Sequence, residues 1–148
     1  MKITIENIPD GSEPEIIIKC NELDESMLQL IHSLKSKPKK LVGTYDSQML
    51  IIEPGDVYYF EAVDNKVFIY CKDKVLESKL KLYEIEAEYE NSNFFRASKS
   101  TILNIDKIMS LKPAFSGRFE ALLKNGEKVI ISRQFVPVLR KKLGLLER

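Results

Sequence analysis

The sequence is poor in the residues on which metal binding and disulfide bonding depend. It has no tryptophan, one histidine and two cysteines among 148 residues. Cys20 and Cys71 stand alone, outside any Cys-x-x-Cys or Cys/His spacing, so neither a zinc site nor a disulfide framework is predicted. We expect two reduced, partly buried thiols. The sequence therefore predicts neither a bound metal nor a cofactor.

Signals for catalysis are equally scarce. The one histidine, His32, lies among apolar residues of a predicted helix, which favours a structural or surface role, with pH sensing as the alternative. Glycine-rich phosphate-binding motifs are missing. Acidic residues alternate along one segment, but charged runs are usually solvated and no histidine accompanies these: Glu84, Glu86, Glu88 and Glu90. We expect a protein that is not an enzyme.

Long apolar runs are also missing. The longest lie around residues 15–18 and 49–52, far short of the roughly 18 to 20 residues that span a bilayer. The first six residues alternate between apolar and polar types and lack the apolar core of a signal peptide. With 44% hydrophobic residues, the chain has enough apolar surface for a folded core. We therefore expect a folded cytoplasmic protein.

The net charge of +1 conceals an uneven distribution of charge. Residues 1–94 hold 11 Lys and Arg against 18 Asp and Glu, whereas residues 95–148 hold 12 against 4. A cationic C-terminal third attracts a polyanion, because neutralising phosphates releases their counterions. The alternative is intramolecular, with the acidic first part facing the basic last part. Charge alone leaves both interpretations open.

The N-terminal residues predict a small strand-strand-helix appendage. Residues 2–8 and 15–20 have strand-like apolar patterns, separated by a turn at Pro9-Asp10-Gly11-Ser12. Apolar residues then recur at helical spacing from about 23 to 36, with acidic residues in the first turn. A lysine- and proline-containing stretch at 35–40 predicts a linker. We therefore place an appendage at residues 1–38 and a second domain at residues 41–148.

The second domain has the pattern of a mainly β protein with antiparallel sheets. Short strands are predicted at 41–45, 48–52, 57–63, 67–71, 75–77, 108–111, 119–123 and 128–131. Residues 80–90 fit a strand and a helix equally well. Ser132 is predicted to cap a final helix, whose buried face includes Phe135, Val138, Leu139 and Leu143.

The segment 94–105 has the side chains most typical of nucleic-acid binding. It combines two cationic side chains, two serine hydroxyls and one amide, namely Arg96, Lys99, Ser98, Ser100 and Asn104. Apolar residues at both ends are predicted to bury and hold this loop. The polar side chains would then project toward phosphates and base edges of a duplex.

The same segment resembles a known family. Phe95-Arg96, Ser100 and Leu103-Asn104 fall where LytTR-type DNA-binding domains have Phe-x-Arg-x-His-Arg-Ser-x-x-Val-Asn, and Ser132-Arg133 falls on their later Ser-Arg pair. The resemblance covers about residues 41–144, so the chain looks like a bacterial LytTR transcriptional regulator. It implies a helix within residues 80–90, and loops rather than a recognition helix in successive major grooves of double-stranded DNA.

Carried over position by position, the resemblance implies DNA contacts from three segments. They are Arg96, Ser98, Lys99 and Ser100 in the signature, Arg133 in the later pair, and Asn65 and Lys66 in the turn after Phe-Glu-Ala. The family usually has His-Arg or His-Asn where this chain has Ser98-Lys99. Because lysine lacks the bidentate fork of arginine, this contact fits a phosphate as well as a base.

Each of these assignments has an alternative. Arg133 also fits the start of a helix, paired with a carboxylate, and Asn65-Lys66 also fit an ordinary hairpin turn. Asn104 and Ser132 are expected to shape the loops rather than to touch DNA.

The resemblance also bears on partners. The appendage is too short for the phosphoacceptor receiver domain of many such regulators, so phosphorelay control is not expected. We expect a homodimer on promoter DNA, because the predicted helix has an apolar face and transcription factors commonly bind paired sites. Receiver-less relatives are often encoded beside a small membrane protein that restrains them, which implies such a partner here. The alternative function is a non-catalytic β-rich module that binds a protein or single-stranded nucleic acid.

Overall fold

The computed structural model describes residues 1–35, 40–90 and 92–144, which belong to two compact units, Met1–Lys37 and Pro38–Arg148. The predicted linker lies largely outside the described residues, because these omit positions 36–39. Among the described residues, no helix has the length and apolar character needed to cross a membrane.

The first unit contains one helix, α1 (Glu25–Lys35). It begins where predicted because Asp24 caps it: one carboxylate oxygen accepts the Met27 N–H and the Ser26 hydroxyl, each at 2.9 Å. An acceptor at this position satisfies an N–H group that has no partner within the helix. The Met27 bond, followed by the Ser26 bond, holds the pKa of Asp24 below its ordinary value.

The two strands predicted at residues 2–8 and 15–20 are not formed, so that prediction was wrong. The turn between them does form, since the Ser12 N–H donates to the Pro9 carbonyl at 3.1 Å. A lone two-stranded hairpin buries too little apolar surface to be stable. Ile3 and Ile5 accordingly remain 82% and 89% exposed. Cys20, predicted to be partly buried, is exposed for the same reason.

In the described part of the second unit, ten strands form two antiparallel sheets, which confirms the predicted fold class. They are β1 (Leu41–Tyr45), β2 (Gln48–Ile52), β3 (Val57–Val63), β4 (Lys66–Cys71), β5 (Val75–Ser78), β6 (Phe94–Ser98), β7 (Thr101–Asn104), β8 (Ile108–Pro113), β9 (Phe119–Leu123) and β10 (Lys128–Ile131). Seven strands lie in the order β2-β1-β5-β4-β3-β7-β6, and the other three in the order β10-β9-β8. Two helices of this unit, α2 (Leu82–Glu88) and α3 (Val136–Lys142), complete it.

Two apolar cores lie on opposite faces of the larger sheet. Successive side chains of a strand point to opposite faces, and the neighbours Ile102 and Leu103 in β7 belong to different cores. Ile85 of α2 belongs to the same core as Ile102. The small sheet and α3 contribute to the core of Leu103, through residues such as Leu123 and Leu139. The strand β7 is therefore buried on both sides.

The last helix begins later than predicted. A 3-10 turn (Arg133–Phe135) precedes α3, and the Ser132 side chain makes no capping hydrogen bond. Pro137 lies in the first turn of α3, where a residue without an N–H group is well tolerated. Val136 and Leu139 are buried, whereas Val138 is 40% exposed and Leu143, also predicted to be buried, is 38% exposed. The predictions of a Ser132 cap and of buried Val138 and Leu143 side chains were therefore wrong.

Asn104 links β7 to β3 and to the following turn. It is 2% exposed, its amide NH₂ donates to the Val57 carbonyl at 2.8 Å, and its amide oxygen accepts the Asp106 N–H at 3.0 Å. Both partners are backbone groups that have to be satisfied when buried. The side chain therefore fixes the end of the hairpin formed by β6 and β7.

Replacing Asn104 by Ala should lower the free energy of unfolding by about 1–3 kcal/mol, because the Val57 carbonyl would be left buried without its partner. Urea unfolding followed by circular dichroism measures the change. The matched control is Gln48→Ala on the exposed edge of the sheet, which should change the free energy by less than about 0.5 kcal/mol. Equal effects of the two substitutions would contradict the role given to Asn104.

Candidate nucleic-acid interface

Two of the three predicted contact segments meet at the ends of β3 and β7. These strands pair antiparallel with Glu61 opposite Thr101, and the Ala62 N–H donates to the Ser100 carbonyl at 2.8 Å. The turn between β3 and β4 and the turn between β6 and β7 therefore lie at the same end of the sheet. We call this end, together with the segment around Arg133, the loop edge.

The segment after β10 joins the same place. The Ser132 N–H donates to the Ala97 carbonyl at 2.8 Å, which ties this segment to β6 one residue before its end. Arg133 follows directly and is exposed. Among the described residues Arg133 forms no ion pair, so the alternative in which it pairs with a carboxylate is not observed there.

A fourth turn, which the sequence analysis did not single out, lies against Arg133. A Cβ atom added to Gly117 would lie 3.2 Å from both Cγ and Cδ of Arg133. Gly117 belongs to the turn between β8 and β9, residues 114–118. Pro113 before the turn and Gly117 within it mark these residues as a turn, but neither indicates that the turn faces another loop. Its proximity to Arg133 depends on long-range packing.

A cleft of about 370 Å³ lies between these segments. Its lining includes Ser98 of β6, Ser132, Arg118 of the fourth turn and Lys128 of β10. Two cationic and four hydroxyl side chains therefore line it, since Tyr59 and Thr101 also belong to the lining, together with one acidic residue, Glu61 of β3. Such a lining suits an anionic group that is held by several hydrogen bonds.

The signature segment is a β-hairpin rather than the loop that the sequence predicts. Phe94–Ser98 pairs with Thr101–Asn104, so the turn itself is short. Lys99 and Ser100 are exposed at the turn, while Ser98 is half-buried and its hydroxyl oxygen accepts the Ser100 N–H at 3.3 Å. The signature residues thus differ in how far each is accessible to a ligand.

Arg96 points its guanidinium back onto its own hairpin. Its Nε donates to the Ser98 carbonyl at 2.9 Å, and its terminal nitrogen donates to the Lys99 carbonyl at 2.6 Å. A third nitrogen lies 3.6 Å from the Glu86 carboxylate of α2. The Arg96 side chain is 21% exposed and interacts with two backbone carbonyls and one carboxylate.

The turn between β3 and β4 presents two exposed candidates. Asp64 and Asn65 both have positive φ, of 51° and 64°, as in the tight hairpin turns that match the twist of a sheet. Lys66 follows, with its ammonium 3.7 Å from the carboxylate of Glu77. Both groups are largely exposed, so this ion pair contributes little and is readily exchanged for another anion.

Tyrosines and carboxylates line the sheet beneath the loop edge. Tyr59 donates to Glu127 at 2.8 Å and stacks on Tyr70 with ring centroids 4.3 Å apart. Burial and the bond to Glu127 raise the pKa of Tyr59, so its hydroxyl remains a donor throughout the neutral range. This bond joins β3 of the large sheet to the turn before β10 of the small sheet.

The comparisons with known proteins agree with this geometry. The family model of the LytTr DNA-binding domain matches residues 47–144. A solved LytTr DNA-binding domain from Bacillus cereus superimposes with a TM-score of 0.67 at 26% identity, covering 71% of this chain and 96% of that one. The match confirms the fold that the resemblance implied.

Two curated relatives extend the comparison. An uncharacterized HTH-type transcriptional regulator of Staphylococcus aureus strain MRSA252 is 30% identical over 130 residues, which is 86% of this chain and 85% of that protein. The sensory transduction protein LytT of Enterococcus faecalis is 29% identical over 100 residues, or 68% of this chain, which spans 41% of that protein's length. With its fold, its family model and these relatives in agreement, the chain belongs to the LytTr DNA-binding domain family.

Proposed function

We propose that this chain is a transcriptional regulator that binds specific double-stranded DNA and reads the major groove with the turns of its loop edge. The observation that supports this most is the convergence of three turns, at the ends of β3 and β7 and after β10, on one side of one unit. A B-DNA major groove about 12 Å wide admits narrow protein elements of this kind.

The shortness and burial of α2 and α3 also favour recognition of DNA by the turns. The helix α3 is seven residues long and buries Val136 and Leu139, and α2 is equally short and buries Leu82 and Ile85. A recognition helix has to present one open face to the groove along several base pairs. These two helices instead pack against the sheet, so the exposed polar side chains of the turns are the better candidates.

The contacts fall into two classes. Arg133 and Lys99 are exposed cations of the loop edge, and Arg133 has the fork that suits bidentate contact with guanine. Asn65 presents an amide that suits adenine. Lys66, Ser98 and Ser100 are assigned to phosphate oxygens, which fix the position of the domain on the duplex without reading its sequence.

Arg96 has a different role in this proposal. Because its guanidinium is already bonded to the carbonyls of Ser98 and Lys99, it shapes the turn that presents Lys99. In this proposal Arg96 does not contact DNA directly, as the sequence led us to expect, but acts on DNA binding through the position of Lys99. Arg96 is thus a positioning residue.

The function is tested by selecting bound sequences from a random pool of duplexes at two salt concentrations. We expect one recurring motif at both concentrations, and weaker binding at the higher one because phosphate contacts release counterions. Single strands of the same sequence should bind more weakly. Preferential binding of the single strand would instead favour the alternative of a single-strand interaction module.

Replacing Arg133 by Ala should weaken binding to the selected duplex by about 1–3 kcal/mol and relax the preference at one base position. Repeating the selection with the variant measures both effects. Lys128 is the matched comparison: it is a cation that lines the cleft beside Ser132, 3.8 Å from Glu120, and Lys128→Ala should mainly reduce the salt dependence. Equal losses on selected and random DNA for both variants would contradict these assignments.

Replacing Arg96 by Lys should reduce specific binding while leaving the salt dependence of binding unchanged, since one ammonium cannot hold two carbonyls in the guanidinium's geometry. Hydrogen exchange at Lys99 and Ser100 should accelerate in the variant. Glu86→Gln removes only the ion pair with α2 and should have the smaller effect. If Arg96 contacted a phosphate, Arg96→Lys would preserve binding, and Arg96→Ala would lower the salt dependence by about one counterion.

A homodimer is part of this proposal. On α1, Met27, Leu30, Ile31 and Leu34 recur at helical spacing and form an apolar stripe, of which Leu34 is 51% exposed. Burying this stripe against a second copy would remove apolar surface from water. Two loop edges related by twofold symmetry would then match a pair of half-sites.

Sedimentation should show a dimer at tens of micromolar that Leu34→Glu dissociates, because a buried carboxylate without a partner is costly. Gln29→Glu, an exposed position on the same helix, introduces the same charge and should leave the dimer intact. A monomer in the unmodified protein, or equal dissociation by both substitutions, would rule out dimerisation through α1.

A further inference from the structure

The turn between β8 and β9 carries an aromatic side chain that neither core uses. Phe115 lies at residue two of this five-residue turn, residues 114–118, and is 88% exposed. We propose that Phe115 is an apolar contact of the loop edge that packs against the C5-methyl group of a thymine beside the base read by Arg133. This inference rests on the proposed function and adds a specificity-determining residue to it.

Exposure by itself would carry little weight, because single exposed apolar residues are common on protein surfaces. Phe115 differs from the other exposed apolar residues in lying on a turn that contacts Arg133. Gly117, two residues later, lies under the aliphatic part of Arg133, where a Cβ atom would come within 3.2 Å of its Cγ and Cδ. Arg118, the next residue, lines the cleft that Ser98 and Ser132 also line. Phe115 is therefore attached to the loop edge through its own turn.

The turn is held in one conformation. The Ala114 N–H donates to the Arg118 carbonyl at 2.8 Å, which closes it at its base. Ser116 and Gly117 have φ of 61° and 77°, so two successive residues adopt the left-handed conformation. Together with the closing hydrogen bond, these two residues determine where the turn presents Phe115.

The chemistry of the neighbouring residues selects the target. Arg118, the last residue of the turn, is an exposed cation, and Lys112 precedes the turn with its ammonium 3.2 Å from the carboxylate of Glu120. Cations that flank Phe115 in the sequence suit contact with the phosphates that border a groove. Among base edges in the major groove, the thymine methyl is the one apolar group. An exposed phenyl ring on a turn with neighbouring cations therefore suits the methyl group of a thymine.

A double-mutant cycle tests the proposal on the duplex selected by the full chain. Each thymine of that duplex is replaced in turn by deoxyuridine, which differs only in lacking the methyl group, and binding of the unmodified protein and of Phe115→Ala is measured. At one thymine, loss of the methyl should weaken binding of the unmodified protein about fourfold, the value for burying one methyl-sized group. Phe115→Ala should weaken binding to the thymine duplex at least as much. The variant should then bind the thymine and deoxyuridine duplexes with nearly equal affinity.

Met49→Ala is the matched control, since Met49 is 68% exposed and lies on β2, at the opposite edge of the large sheet from β6. It should bind both duplexes as the unmodified protein does. Thermal unfolding should show that Phe115→Ala leaves the fold unchanged, as expected for a side chain with so few contacts.

The outcomes separate this inference from the proposed function. If the unmodified protein selects no duplex sequence, the proposed function itself is wrong. If it selects one but Phe115→Ala binds equally well, or loses the same factor on thymine and deoxyuridine at every position, only the methyl contact is overturned. The methyl contact is supported if, at a single thymine, Phe115→Ala and the deoxyuridine replacement together weaken binding by less than the product of their separate effects.

Discussion

The pairing of β3 with β7 is the constraint on which the rest of the structure depends. With Glu61 opposite Thr101, the two strands bring their turns to one end of the sheet. A shift by one residue would exchange the faces of Ile102 and Leu103, which belong to different cores, so the register is held by burial on both sides. Asn104 adds a hydrogen bond to β3 at 2.8 Å. The position of Lys99 relative to Asn65 is thus determined by the interior.

Much of the fold was predictable because its signals are local. Short apolar runs ending at turn residues identify β1 to β5 and β8 to β10, and Asp64-Asn65 or Asn125-Gly126 favour tight hairpins whatever surrounds them. The same reasoning failed at residues 2–8 and 15–20, where the strand pattern is present but the described residues of the first unit, 1–35, provide no further strand and no buried core. Alternation indicates a tendency to form a strand, and a sheet requires a partner as well.

The candidate site was predictable in composition and not in geometry. The resemblance identified the segments around Asn65, Lys99 and Arg133, and their side chains are exposed. It did not indicate that the guanidinium of Arg96 turns inward to the carbonyls of Ser98 and Lys99, because a short sequence motif contains no information about which side of a hairpin an arginine covers. The contact between Gly117 and Arg133 was equally inaccessible, since it joins separate strands through tertiary packing.

The order of strands in the large sheet has a kinetic consequence. Most pairings join strands adjacent in sequence, and these hairpins close quickly on microsecond timescales. The pairings of β1 with β5 and of β3 with β7 instead span long stretches of chain, which makes their formation slower. A partly folded or still growing chain therefore already has its individual hairpins but not their common edge. The loop edge is therefore complete only after β3 has paired with β7, one of the last steps by which the large sheet assembles.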